Sequence, residues 1–240
     1  MDLKSASDWP KRFSTGAVMA LIGILAILHK ESHFAIFIAL CAGIVTISIF
    51  EAINLFRKAS NRVQELKGPT ASQMLPLVIA ATLLSVFYII VLDPIAIALL
   101  AVVTFGYDIF ALAFGRFLKD KFFKERPFPD IWRKKKTFEG VIGGIASSAI
   151  LGTTYILVFT PILKGISVSD FPNILIIAGG GFAAMFGDLA NSYFKRLAAA
   201  DDSGWIFPGH GGCLDRFMSL YSVTILYLFL NLPLFFHNFG

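Results

Sequence analysis

Asp188, Ser192 and Lys195 are four and three residues apart, so a helix running through them carries a carboxylate, a hydroxyl and an ammonium on one face. A second group follows: Asp201, Asp202, Ser203 and Gly204, then Pro208 through Gly212, Cys213, Leu214, Asp215 and Arg216. It adds carboxylates, a cation and glycines that have no side chain to obstruct a ligand. Hard carboxylate oxygens suit Mg²⁺, which takes one or two carboxylates together with substrate phosphates. Lys195, Arg196 and Arg216 are placed to neutralise the remaining phosphate charge. The chemistry open to such a set is nucleotidyl transfer, which depends on positioning and charge stabilisation. Residue types alone leave a transporter gate or an exposed turn as alternatives. His210 could be solvated, contact a phosphate or move a proton. Substrate contact is the preferred reading, because a phosphate monoester nucleophile is already anionic and needs no strong base.

These residues must be held by membrane helices. Of 240 residues, 56% are hydrophobic, 25 are phenylalanine and only 15% are charged. With a mean hydropathy of +0.73, the chain has more apolar surface than a soluble domain can hide. Apolar runs cover about residues 16–29, 34–52, 74–92, 95–117, 141–160, 173–189 and 219–236. Open strands cannot satisfy their backbone in lipid, so the predicted fold is all-α: a polytopic bundle of about seven transmembrane helices. The bundle forms one membrane domain over 1–240, with an active-site segment at 187–218. Gly179, Gly180 and Gly181 in the sixth run mark a broken or a tightly packed helix, and a re-entrant piece would raise the count to eight or nine. Asp93-Pro94 reads as a turn between two helices. Three acids fall at membrane depth, where a carboxylate is costly. Asp108 either pairs with a Lys or Arg to lock helices together or serves chemistry. Glu51, near Arg57 and Lys58, reads as structural, and Asp188 belongs to the reactive face.

Loop charge gives the orientation. With the N-terminus in the cytoplasm, Lys and Arg number 3 in the N-terminal arm, 4 in Arg57 to Lys67, 9 in Arg116 to Lys136 and 3 in Lys195 to Arg216, against Lys30 and Lys164 on the other side. The positive-inside rule therefore puts the polar loops on the cytoplasmic face, where nucleotides are. The same loops account for the net charge of +5 without nucleic acid, since they meet anionic headgroups. The first run follows Lys11 and Arg12 as in a signal peptide, but no small-residue cleavage site follows, so a retained helix is expected. Cys41 and Cys213 form neither a disulfide framework nor a zinc site. Common oligomer habits make a homodimer the expectation.

The polar segment closely resembles the signature of the CDP-diacylglycerol synthase (phosphatidate cytidylyltransferase) family. The matching residues are Ser192 with Lys195-Arg196, then Asp202-Ser203-Gly204, Pro208-Gly209-His210-Gly211-Gly212 and Asp215-Arg216. Lys135-Lys136-Thr137-Phe138-Glu139-Gly140 and Asp108 to Ala111 with Gly115-Arg116 are similar to two further family motifs, and weaker likeness at Arg12 to Thr15 and Glu51-Ala52 extends it over most of the chain. The resemblance implies attack of a phosphatidate oxygen on the α-phosphorus of CTP, giving CDP-diacylglycerol and pyrophosphate for phospholipid biosynthesis. It implies catalytic roles for Asp188, Ser192, Lys195, Arg196 and Asp215. Substrate contacts fall to Lys136, Asp108, Ser203, His210, Gly211, Gly212 and Arg216. Mg²⁺ would be held by Asp188, Asp215 and Asp202, with a second cation conceivable, in a bacterial inner membrane whose lipids supply the substrate. A CTP-dependent polyprenol or phytol kinase and a catalytically impaired lipid-binding homologue are the alternatives. The chain departs from the family pattern at Asn191, Asp201 and Met218, where the family carries Glu, Lys and Asp, and more mildly at Leu112 and Phe138.

Overall fold

A computed structural model of the chain describes residues 9–63, 71–118, 121–123, 136–159, 171–207 and 211–237. Among them are seven helices: α1 (Trp9–Leu28), α2 (Phe34–Val63), α3 (Ala71–Val91), α4 (Pro94–Phe117), α5 (Phe138–Phe159), α6 (Phe171–Leu197) and α7 (Cys213–His237). The helices α2 to α7 contain six stretches long and apolar enough to cross a membrane. The all-α, multi-pass reading of the sequence holds. Leu77, Phe87, Ile109, Ile150 and Phe186 are among the large apolar side chains left on the surface, as expected where lipid rather than water is the solvent.

The chain divides into two compact units. One comprises Met1–Val86 with Phe194–Phe217, the other Phe87–Tyr193 with Met218–Gly240. In the second, the start of α4 is set by local chemistry. Asp93 caps it by accepting from the backbone N–H groups of Ile95 and Ala96, both at 2.9 Å, and Pro94 occupies the first turn, where its missing N–H costs nothing. The turn expected at Asp93-Pro94 is this cap. Lipid tails are as apolar as leucine and give helices little reason to associate, so close backbone approach has to supply the contact. Here α5 provides it with a stripe of small residues four apart: Gly140, Gly144, Ser148 and Gly152 are all buried. A Cβ on Gly144 would lie 2.8 Å from Ala111 Cβ and 2.9 Å from the Tyr107 ring of α4. The Ser148 hydroxyl donates to Val103 O at 2.9 Å across the same seam.

The glycines of α6 serve the same end. Gly179, Gly180 and Gly181 lie inside a continuous helix; Gly180 packs on Val103, and Gly181 on Ile145 and Ser148. Between the two readings left open, the tightly packed helix is the one found. Gly187 lets α6 approach Met218, Ser219 and Ser222 of α7. The core of this unit is formed by Leu99, Leu100, Val103, Tyr107, Ile176, Leu189 and Val223. In the first unit, α2 runs eleven residues past its expected end and buries Glu51, Ala52, Leu55, Phe56 and Ala59; the Phe56 ring centroid lies 4.9 Å from that of Phe194 on α6.

Candidate active site

The helix α6 ends at Leu197, and α7 begins at Cys213. Asp188, Ser192 and Lys195 are therefore on helix, as the spacing predicts, and Asp215 is in a helical first turn. The end of α6 is closed by Ala199 N–H donating to Arg196 O at 3.1 Å and Ala200 N–H to Lys195 O at 2.9 Å. This closure needs Ala199 in the left-handed region, with φ 45°, where a glycine is normally used. Beyond it an antiparallel bridge joins Phe207 N–H to Gly211 O at 3.0 Å, with Gly211 at φ 81°. In that conformation glycine alone carries no penalty.

At the head of α7, Asp215 is the most heavily used side chain. Its Oδ1 meets Lys195 Nζ at 2.6 Å. Its Oδ2 accepts from Ser203 N–H at 2.8 Å, from the Ser203 hydroxyl at 2.8 Å and from Gly212 N–H at 3.0 Å. The Gly212 bond reaches back three residues to the helix cap, as in a capping box. Glu51 enters the same cluster from α2. It accepts from the first two amides of α7, Cys213 N–H at 3.1 Å and Leu214 N–H at 2.8 Å, and lies 3.3 Å from the Ser203 hydroxyl. Gly204 and Gly212 have no room for a Cβ against the Glu51 carboxylate. Sequence reasoning took these glycines to clear space for a ligand; the side chain they admit here is Glu51.

A second Lys–Asp pair belongs to the other unit. Lys136, just before α5, meets Asp188 Oδ2 at 2.9 Å, donates to the Tyr107 hydroxyl at 2.9 Å and lies 5.3 Å from that ring's centroid. Asp108, one residue on from Tyr107, accepts from the Ser219 hydroxyl at 3.3 Å. Glu139 ties down the chain ahead of α5 by accepting from the Phe122 and Phe123 amides at 3.1 and 3.0 Å.

Of the residues singled out by sequence, Lys195, Ser203, Gly212 and Asp215 converge, with Gly211 close against Asp215 and Asp202. Lys136 and Asp188 form the second pair, and Asp108 lies one residue along α4 from Tyr107, which Lys136 reaches. Ser192 is buried, while Arg196, Asp201 and Asp202 are exposed and Arg216 is half-buried. His210, Pro208, Gly209 and Lys135 lie outside the described residues. Sequence reasoning missed Tyr107, hidden in an apolar run. It read Glu51 as structural without its link to Ser203 and α7. As for a metal, in one unit Asp188 offers a hard oxygen beside Lys136, and in the other both oxygens of Asp215 already meet protein donors, Oδ1 Lys195 and Oδ2 Ser203 and Gly212. Among the described residues no three His, Cys, Asp or Glu gather to hold an ion. A single carboxylate such as that of Asp188 fits Mg²⁺ completed by phosphate oxygens, not a protein cage.

Fold and pairs together define a class: a multi-pass helical membrane protein in which two carboxylates are each paired with a lysine. The comparisons narrow this class. A model described as "Cytidylyltransferase family" matches residues 69–233, and the chain belongs to that family. The match takes in every residue of both clusters except Glu51. Similar proteins include the phosphatidate cytidylyltransferases of Rickettsia bellii, 33% identical over 130 residues (54% of each chain), and of Helicobacter pylori, 35% identical over 126 residues (52% of this chain, 43% of that protein). The Bacillus subtilis phosphatidate cytidylyltransferase is 38% identical over 113 residues (45% of this chain, 39% of that protein). The chain spans about half the length of these curated relatives.

Proposed function

We propose that the chain is a phosphatidate cytidylyltransferase, converting CTP and phosphatidic acid into CDP-diacylglycerol and pyrophosphate at the cytoplasmic face of a bacterial inner membrane. The observation that carries this reading is the Lys195–Asp215 pair, fixed in the glycine-framed turn into α7 within the segment matched by the family model. The phosphatidate oxygen forms a bond to the α-phosphorus, the bond from that phosphorus to the bridging oxygen of the α–β anhydride breaks, and pyrophosphate leaves with those electrons. The nucleophile is already anionic, so the chain's residues orient and neutralise; they do not abstract a proton. Lys195, 20% exposed beside a 6% exposed Asp215, is the member of its pair that can meet a phosphate. In the other pair the acid is open, with Asp188 23% exposed beside a 9% exposed Lys136, so Asp188 is the better placed to meet a cation. Asp188 would hold magnesium, which when bound would supply charge neutralisation on the nucleotide phosphates. Exposed Arg196 and the Lys- and Arg-rich segment 116–136 would draw in anionic lipid and nucleotide.

Incubation of the purified protein with phosphatidic acid, Mg²⁺ and CTP labelled at either the α or the γ phosphate tests the reading. Label from the α position is expected in the lipid fraction. Label arriving from the γ position would instead identify a CTP-dependent lipid kinase, and no lipid label where a known synthase works would end both readings.

A further inference from the structure

Glu51 lies outside the segment matched by the family model, and no step of the proposed reaction uses it. Its side chain is nevertheless buried, 4% exposed, and a carboxylate in that position is costly unless its charge is met. Both oxygens are met. Oε1 accepts from Cys213 N–H, and Oε2 accepts from Leu214 N–H and lies in reach of the Ser203 hydroxyl. The two amides belong to the first turn of α7, where N–H groups have no partner within the helix and the helix dipole favours an anion. Ser203 joins the two carboxylates: its one hydroxyl hydrogen is shared between Asp215 at 2.8 Å and Glu51 at 3.3 Å. Gly204 and Gly212 make space for this arrangement, since a side chain on either would strike the Glu51 carboxylate.

We propose that Glu51 is a positioning residue: by capping α7 from α2, it fixes the direction in which Asp215 presents Oδ1 to Lys195. The amides it holds precede Asp215 by two residues and by one, so the start of α7 cannot shift or rotate without carrying Asp215 with it. Displacement of a reacting group by about 1 Å costs on the order of 10²-fold in rate. The inference rests on the reading of Asp215 and Lys195 as parts of the reaction centre.

Glu51→Gln in the full-length protein separates positioning from mere support. Glutamine keeps the shape, but its NH₂ would confront an amide donor. Turnover in the α-label assay is expected to fall on the order of 10²-fold, with KM for CTP changed less than about threefold. Hydrogen exchange should rise in the peptide covering residues 203–215 and stay unchanged in α4 and α5. Wild-type turnover in this variant would overturn the proposal, as would faster exchange throughout the protein. If the wild type itself labels no lipid, the functional reading fails and exchange decides alone: a rise confined to residues 203–215 supports the positioning role, and a uniform rise refutes it. Should Glu51→Gln not accumulate as folded protein, Glu51→Asp keeps the charge but withdraws it by one methylene. That variant is expected to lose roughly tenfold in turnover, and full activity in it would overturn the proposal.

Discussion

The two Lys–Asp pairs are chemically alike and inverted in burial. At Lys195–Asp215 the acid is the hidden partner, 6% exposed, and it is held by Ser203 and Gly212 as well as by its lysine. At Lys136–Asp188 the lysine is the hidden partner, 9% exposed, and is held by the Tyr107 hydroxyl and ring. In each pair the buried member is fixed by protein groups and its partner is the more exposed of the two. Two pairs built from the same residue types therefore differ in the charge they expose, a cation at Lys195 and an anion at Asp188, and under the proposed function that difference divides phosphate contact from metal contact.

The largest effect should come from breaking the anchored acid. Asp215→Asn keeps the volume but loses the charge that meets Lys195, and its amide nitrogen would face the Ser203 and Gly212 donors. Turnover should drop by on the order of 10³-fold or more while circular dichroism and gel filtration remain those of a folded protein. Near-normal activity would remove Asp215 from the reaction centre. A smaller effect is expected from Gly204→Ala, whose new methyl meets the Glu51 carboxylate. It should destabilise the protein by about 1–3 kcal/mol, read as a lowered Tm together with reduced turnover, whereas the corresponding Gly23→Ala, with nothing within 4 Å of its added carbon, should do neither. Smallest of all, Ala199→Gly relieves the left-handed backbone after α6 and should raise stability by about 1 kcal/mol with activity unchanged; a fall in Tm would show that this turn is not strained.

Much of this was legible in the sequence, for reasons that can be assigned to particular residues. Among the described residues, six of the seven apolar runs lie in helices long and apolar enough to cross a membrane, because lipid demands length and apolarity from a helix. Helix ends were legible only where the chain itself punctuates them, as at Asp93-Pro94. Past the apolar limit the signal fades: α2 continues to Val63 through Arg57 and Lys58, and α7 starts at Cys213, before the run that begins at 219, because polar first and last turns look like loop. The spacing of Asp188, Ser192 and Lys195 was sound because i, i+4 geometry is local. Pairing was not legible. Glu51 meets amides 162 and 163 residues away, and Lys136 meets a tyrosine 29 residues back, contacts set by packing that no periodicity reports. The departures at Asn191 and Met218 make sense in burial: both side chains are buried, so a neutral residue there avoids the cost of a charge at depth.

The division of labour between the two pairs is tested most directly by titrating Mg²⁺ and CTP against α-label transfer in Asp188→Asn and Lys195→Ala side by side. Asp188→Asn should raise the half-saturating Mg²⁺ by about tenfold or more while leaving KM for CTP at saturating metal nearly unchanged. Lys195→Ala should do the reverse, raising KM for CTP by about tenfold and lowering turnover with the metal requirement intact. Shifts of the same parameter in both variants, or an exchange of the two patterns, would contradict this division.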